Sequence, residues 1–238
     1  MNGPYPLGSS CSIMNLWLST HFLVAGLFLS SWALTPEECR PLITPLSMKP
    51  SMIYGKSHFL FGYTDNEVYN GFMKNIESYK NNVIPSTFGP NALNVSTENK
   101  LNGTCLSLNM NATVEDNTLI MKFDNFTSLN HMLPTCDGCL LYSFNRTVTY
   151  LDKMYKKMGL NDDITAEEHI MSGLHLFARG TTLKDSELEH FRKQASCLGF
   201  NREPDFIYDP KNDFCAEGEG LKMIDEEQHS LDISTETE

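Results

Sequence analysis

The chain has 238 residues, of which 41% are hydrophobic and 20% are charged, and these proportions are typical of a globular protein. Its formal net charge of −12 argues against nucleic acid and against anionic membrane surfaces as partners. Seven histidines are scattered without the H-E-x-x-H spacing of a zinc hydrolase, and neither a G-x-S-x-G motif nor a phosphate-binding glycine loop occurs. The sequence therefore predicts no catalytic residue, no metal ligand and no cofactor.

Residues 1–33 are predicted to be a secretion signal. The stretch 16–34 is nearly uncharged, contains the apolar run 22–29, and ends in small residues at the spacing that signal peptidase requires, with cleavage after Ala33. No lysine or arginine precedes Arg40, so the usual positive charge is missing, and translation from Met14 is an alternative to translation from Met1. A membrane anchor is a further alternative, but the apolar run is short for a span of about 20 residues.

The rest of the chain divides into one domain, 34–215, and an acidic tail, 216–238. A domain of this size can build a full hydrophobic core. The tail carries eight acidic residues against Lys222 as its only basic residue, and such a composition predicts a disordered, solvated segment.

Glycosylation signals and cysteines support secretion. Six cysteines follow the signal segment, an even number that suits a disulfide framework in an oxidising compartment, although the sequence leaves fifteen pairings open. Five N-x-S/T sequons cluster in the middle of the chain, and so many in one secreted chain predict a glycoprotein. Their asparagines are Asn94, Asn102, Asn111, Asn125 and Asn145.

The first predicted strand covers 54–63, after a proline-rich lead-in (39–50) that is expected to be extended. Ser57, Phe59 and Phe61 alternate with Lys56 and other residues that would lie on the opposite face. An edge strand of a β-sandwich and the first strand of a closed barrel with space inside both fit this pattern. The six alternating segments that follow are short and regularly spaced, which indicates an antiparallel sandwich or up-and-down barrel. These are 76–84, 92–98, 104–111, 118–123, 128–133 and 139–148.

Glycosylation predicts which side chains face inward, because a glycosylated asparagine must point to solvent and strand side chains alternate. If Asn111 points outward, Cys105 on the same strand also points outward. If Asn145 points outward, Tyr142 and Phe144 in the strand 139–148 point inward. Each application of the rule leaves an apolar inner face, which a plain packed core would also have. The residues predicted to line a ligand site are Phe59, Phe61, Leu106, Leu108, Met110, Tyr142 and Phe144.

The C-terminal part combines a last strand with helical segments. The stretch 66–73 is predicted to be a short helix or a lid-like loop, and 149–171 shows helical spacing that forms either a lid or an outer helix. A strand at 173–179 precedes a clear amphipathic helix at 184–198, which must dock outside the sheet, and 205–208 could add one short strand.

This order resembles the lipocalins, and within them the alpha-1-acid glycoprotein and apolipoprotein M group, including fish proteins that bind saxitoxin and tetrodotoxin or tributyltin. The resemblance covers about 39–215. Four short stretches carry it, together with their order and the placement of the cysteines. These are Ile53-Tyr54-Gly55-Lys56, Leu174-His175-Leu176-Phe177-Ala178-Arg179, Gln194-Ala195-Ser196-Cys197-Leu198 and Asp213-Phe214-Cys215. It implies an eight-stranded antiparallel up-and-down barrel with one C-terminal helix packed outside.

The resemblance also implies two disulfides, Cys39–Cys197 and Cys105–Cys215. The remaining pair, Cys136 and Cys139, is expected to form a structural hairpin disulfide, since the βαβ context of a redox motif and the second ligand pair of a zinc site are both missing. Ser57 stands where lipocalins carry a tryptophan under an arginine that Arg179 matches. Either Arg179 finds another partner, or the barrel floor is looser and wetter.

The predicted function is that of a secreted plasma carrier that holds a small hydrophobic or amphipathic ligand in the barrel. Catalysis is not expected, because all six cysteines can be paired. Lipids, steroids, drugs, organotins and guanidinium toxins all fit the family. A monomer is expected, without a stable membrane span. An enzyme with a thiol nucleophile would need an unpaired, inward-facing cysteine. A secreted immunomodulatory acute-phase glycoprotein that acts through its outer surface is the other alternative.

Overall fold

The computed structural model describes residues 34–123, 126–158 and 168–223. The predicted secretion signal, Asn125 and most of the acidic tail lie outside the described residues. Within the described ranges, no helix is long and apolar enough to cross a membrane.

Eight antiparallel strands form a closed barrel, which confirms the predicted fold class. Each strand pairs with its neighbours in chain order, and β8 returns to β1 while β4 pairs with β5, so the sheet closes. Two short extra strands sit on its edges. The strands are β1 (Gly55–Thr64), β2 (Ile76–Pro85), β3 (Ala92–Leu101), β4 (Thr104–Glu115), β5 (Thr118–Phe123), β6 (Phe126–Leu133), β7 (Cys139–Val148), β8 (His169–Ala178), β9 (Phe206–Ile207) and β10 (Leu221–Met223).

The described ranges contain four α-helices around the barrel: α1 (Pro36–Ile43), α2 (Glu67–Lys74), α3 (Leu151–Lys157) and α4 (Asp185–Cys197). The helix α4 packs outside the barrel as predicted, with Phe191 and Ala195 buried against Leu141, Leu174 and Leu176 on the outer faces of β7 and β8. These outward positions are apolar because the helix removes them from water.

The lead-in differs from the extended segment expected, because it begins inside a helix. The Thr35 hydroxyl caps α1 by accepting from the Glu38 backbone N–H at 3.3 Å, while the Glu38 carboxylate accepts from the Thr35 N–H at 2.8 Å. Pro36 takes the first turn, where its missing N–H costs nothing. Pro41 lies within the helix and removes one backbone donor from it.

All three disulfides expected from the sequence are present. Cys39–Cys197 ties α1 to α4, Cys105–Cys215 ties the C-terminal segment to β4, and Cys136–Cys139 closes the turn before β7. The first two join positions 158 and 110 residues apart in the chain.

Part of the segment 216–238 is ordered, in contrast to the disorder expected for it. Leu221–Met223 pairs in parallel with Leu106–Leu108 of β4. The pairing arises because β5 contacts β4 only from Asn111 onward, which leaves the earlier backbone edge of β4 open to another strand.

Two short helices, α2 and α3, lie together over one end of the barrel, which we call the helix end. The Tyr155 hydroxyl of α3 donates to the Val68 carbonyl of α2 at 2.9 Å, and the rings of Phe72 and Tyr155 lie 5.8 Å apart. Asp205, beyond α4, accepts from the Asn70 side chain of α2 at 2.6 Å. The stretch 66–73, predicted to be a short helix or a lid-like loop, thus forms the helix α2, which is held both by α3 and by the C-terminal segment.

The opposite end, the lead-in end, is closed by the chain before β1. The Leu46 backbone N–H donates to the Met132 carbonyl at 2.8 Å, and the Met48 N–H donates to the Asn117 side chain at 3.1 Å. Met48 and Ile53 are buried beneath the strands. A ligand is therefore expected to enter the interior from the helix end.

Candidate ligand-binding cavity

The barrel encloses a void at the helix end, which we call the outer chamber. It measures about 870 Å³ including the space toward its opening, and about 130 Å³ of it admits the centre of a water molecule. Its apolar wall comes from β4, β5 and β6, and its cover comes from α2 and the end of α3. The apolar lining residues are Leu106, Leu108, Met110, Met121, Phe123 and Phe126, with Tyr69, Phe72 and Met158 above them.

A second void, the inner chamber, lies toward the lead-in end and measures about 500 Å³, of which about 60 Å³ admits the centre of a water molecule. Tyr79, Met121, Arg146 and His175 line both chambers and so mark the waist between them. The inner wall is more polar, since it includes the side chains of Asn81, Asn130 and Tyr142 beside Val83, Val95, Leu119 and Phe177.

The seven residues predicted to line a ligand site fall into three groups. Leu106, Leu108 and Met110 line the outer chamber, and Tyr142 lines the inner chamber. Phe59 and Phe144 point inward but are packed into the aromatic core behind the waist. Phe59 stacks on Phe206 at 4.5 Å between centroids, and Phe144 lies 4.4 Å from His175.

The inward placement of Phe61 is wrong. A β-bulge in β1 at Leu60 shifts the register, so that Phe59 pairs with Phe177 but Phe61 pairs with Leu176, whose side chain lies under α4. Phe61 therefore packs outside the barrel, 5.7 Å from the ring of Phe191. One inserted residue reverses the facing of everything after it.

Four polar residues of the outer chamber were missed: Thr97, Asn99, Arg146 and His175. The rule that strand side chains alternate predicts the inward orientation of three of them. If Asn145 points outward, its neighbour Arg146 points inward, and outward Asn94 likewise places Thr97 and Asn99 inside.

Arg146 places a guanidinium group among aromatic rings. Its central carbon lies 4.4 Å from the ring centroid of Phe144 and 4.9 Å from those of Tyr69 and Phe126, distances at which a cation is attracted to a ring face. Its Nε atom is buried without a hydrogen-bond partner. Among the described residues, no carboxylate forms an ion pair with it.

The neighbouring titratable groups are uncharged at neutral pH. Burial lowers the pKa of His175 well below its ordinary value, and the positive charge of Arg146 lowers it further. Burial likewise raises the pKa of the Tyr79 and Tyr142 hydroxyls above the ordinary value. Arg146 is thus the charged group at the waist.

At the lead-in end, Arg179 does find another partner. Its Nη1 donates to the backbone carbonyl of Lys56 at 2.7 Å. Ser57 is 1% exposed, and its hydroxyl donates to the Asn81 side chain, which lines the inner chamber. A polar wall with a small void therefore occupies the region where a large ring would otherwise pack.

Four of the five sequon asparagines lie in the described residues. Asn102, Asn111 and Asn145 are exposed, and Asn94 is half-buried directly opposite Asn111 on the neighbouring strand. Their positions on the outer surface agree with the facing rule, while occupancy by glycans stays a prediction.

Neither a family model nor a curated protein sequence matches the chain. Solved structures with similar folds include a siderocalin, Ex-FABP, with a TM-score of 0.47 and 12% identity over 66% of this chain and 93% of that one. The bovine lipocalin allergen Bos d 2 has a TM-score of 0.44 and 20% sequence identity, over 64% of this chain and 89% of that one. The odorant-binding protein OBP1 has a TM-score of 0.45 and 15% sequence identity, over 65% of this chain and 88% of that one. The barrel assignment itself rests on the strand pairings given above.

Proposed function

We propose that this chain is a lipocalin that binds and transports a small hydrophobic or amphipathic ligand. The observation that carries the proposal is the apolar outer chamber, which lies inside a closed barrel under two short helices. Ligand burial there is favourable by about 25 cal/mol per Å² of apolar surface removed from water. Methionines in the wall can adapt to different ligand shapes.

Filling the chamber tests the proposal. Leu108→Trp places a large ring in the outer chamber, and it should weaken binding of the neutral fluorescent probe N-phenyl-1-naphthylamine by roughly tenfold or more, about 1.4 kcal/mol. Ile207→Trp is the matched control, because Ile207 is 51% exposed on the outside of the barrel. Equal binding by both variants and the wild type, with all three folded, would place the probe elsewhere and count against a carrier.

Catalysis by a thiol nucleophile has no support in this structure. Each of the six cysteines in the described part of the chain is engaged in a disulfide. A full equivalent of free thiol in the unreduced, mature protein would reopen the enzyme hypothesis.

The proposal includes secretion into plasma as a monomeric glycoprotein, with membership of the alpha-1-acid glycoprotein and apolipoprotein M group. The disulfides and the outward sequon positions support an extracellular location. Intact mass of the secreted protein before and after glycosidase treatment tests both the mature start near Leu34 and the glycans. An unshifted mass would contradict glycosylation.

A further inference from the structure

Arg146 places a positive charge at the waist between the chambers, and within the described ranges no aspartate or glutamate forms an ion pair with it. Neither chamber has an aspartate or glutamate among its described lining residues, and the Arg146 Nε is buried without a partner. Arg146 as a whole is half-buried, and three aromatic rings surround its guanidinium. Partial removal of a charge from water without a counter-charge is costly, and contacts with aromatic faces offset that cost only in part.

Three further polar atoms, on side chains that line the same chamber as Arg146, are buried without a hydrogen-bond partner. They are the Thr97 hydroxyl, the Asn99 side-chain oxygen and the His175 Nε2, and all three side chains line the outer chamber. Thr97 is 1% exposed and His175 is 6% exposed, so bulk solvent does not satisfy them. Buried polar groups in folded proteins are normally hydrogen-bonded, and a cluster of unpaired ones inside a cavity points to a polar ligand group.

We infer that the cavity is selective for amphipathic anions, with one carboxylate, sulfonate or phosphate bound by Arg146 and an apolar body in the outer chamber. A guanidinium fork binds such an anion through two parallel, charge-assisted hydrogen bonds. Thr97 and neutral His175 can each donate a hydrogen bond to an anionic oxygen. The inference rests on the proposed carrier function and names its ligand class.

The same geometry disfavours cationic ligands. A guanidinium toxin or an ammonium ligand would have to compete with Arg146 for the rings of Tyr69, Phe126 and Phe144. It would also be repelled by the charge already present there.

Two probes with the same rings but different charge test the selectivity. 1-Anilinonaphthalene-8-sulfonate carries a sulfonate, and N-phenyl-1-naphthylamine does not. The secreted full-length protein should bind the anionic probe roughly tenfold more tightly or better. Arg146→Met should reduce this ratio toward one, and Arg146→Lys should retain part of it. Lys122→Met is the control, since it removes a positive charge from the exposed outer face of β5.

The outcomes separate the inference from the carrier proposal. Tight binding of the neutral probe with no preference for the anionic one would overturn the inference and leave the carrier intact. Binding of neither probe would count against both. If the Arg146 variants do not fold, competition on the wild type decides the matter: dodecanoate should displace the neutral probe better than dodecanol, and dodecyltrimethylammonium should be the weakest. Any other order overturns the anion selectivity.

Discussion

Acidification is expected to destabilise the folded chain through His175. The ring lies 4.4 Å from that of Phe144 and 4.6 Å from that of Phe59, and its Nε2 is buried without a partner. Burial and the charge of Arg146 lower its pKa in the folded state. The unfolded chain, in contrast, protonates a histidine with a pKa of about 6.5.

The sign and size of the effect follow from proton linkage. Below the unfolded pKa the unfolded state binds more protons than the folded state, so stability is present at higher pH and is lost as the pH falls. Each pH unit in that range removes about 1.4 kcal/mol from the free energy of unfolding. Between pH 7.5 and pH 4.5, the loss from His175 approaches an upper limit of about 2.7 kcal/mol.

Urea unfolding at several pH values measures this loss, and the comparison with His175→Gln isolates it from other titrating groups. The difference in unfolding free energy between wild type and His175→Gln should shrink as the pH falls. His131→Gln, on β6 and outside the lining of both chambers, keeps His175 and should retain the wild-type decline. An equal pH dependence of wild type and His175→Gln would refute burial of a neutral His175.

Three further changes test the packing around the cavity. Replacing Cys39 and Cys197 together with serine should lower the free energy of unfolding by up to about 5 kcal/mol in urea, because a disulfide across 158 residues closes a long loop. Phe61→Ala should cost about 2 kcal/mol in the same assay yet leave probe affinity within about twofold, since Phe61 packs under α4. Gly173→Ala should lower the melting temperature, with a cost of about 1–3 kcal/mol, because the new methyl carbon would collide with the Tyr63 carbonyl oxygen.

The strand facing was predictable from sequence wherever one face of a strand meets water. In β4, exposed Asn109 and Asn111 alternate with Leu106, Leu108 and Met110, and the structure places these three in the cavity wall. The alternation is unambiguous there because polar and apolar residues divide cleanly between the two faces.

In β1, the same reasoning failed because both faces are buried. Phe59 contacts the aromatic interior while Phe61 and Tyr63 contact α4, so both faces are apolar and the pattern carries no mark of the bulge at Leu60. Nothing local distinguishes an extra residue in such a strand, since either facing buries an aromatic ring. The docking site of α4 is a property of the folded barrel, not of the strand.

The site itself was predictable in orientation but not in chemistry. The facing rule turns Arg146 inward, yet only the folded barrel shows that Tyr69 and Phe126, from different elements, meet its guanidinium. Whether an inward arginine meets a carboxylate, a ring or nothing depends on which strands and helices come together. The lack of an ion pair between Arg146 and any carboxylate of the described residues therefore depends on the tertiary structure and not on the local sequence.

The two ends of the barrel explain why the cavity extends as deep as it does. Ser57 is a small side chain at the lead-in end, and Arg179 donates to the backbone carbonyl of Lys56 there. The space beside Ser57 is then lined by hydrogen-bonding groups such as Asn81 and Asn130, which favour water or a polar ligand group over a hydrocarbon. With an apolar wall above Arg146 and a polar wall below it, an amphipathic anion has one favourable orientation: its apolar body toward the helix end and its charged group at the waist.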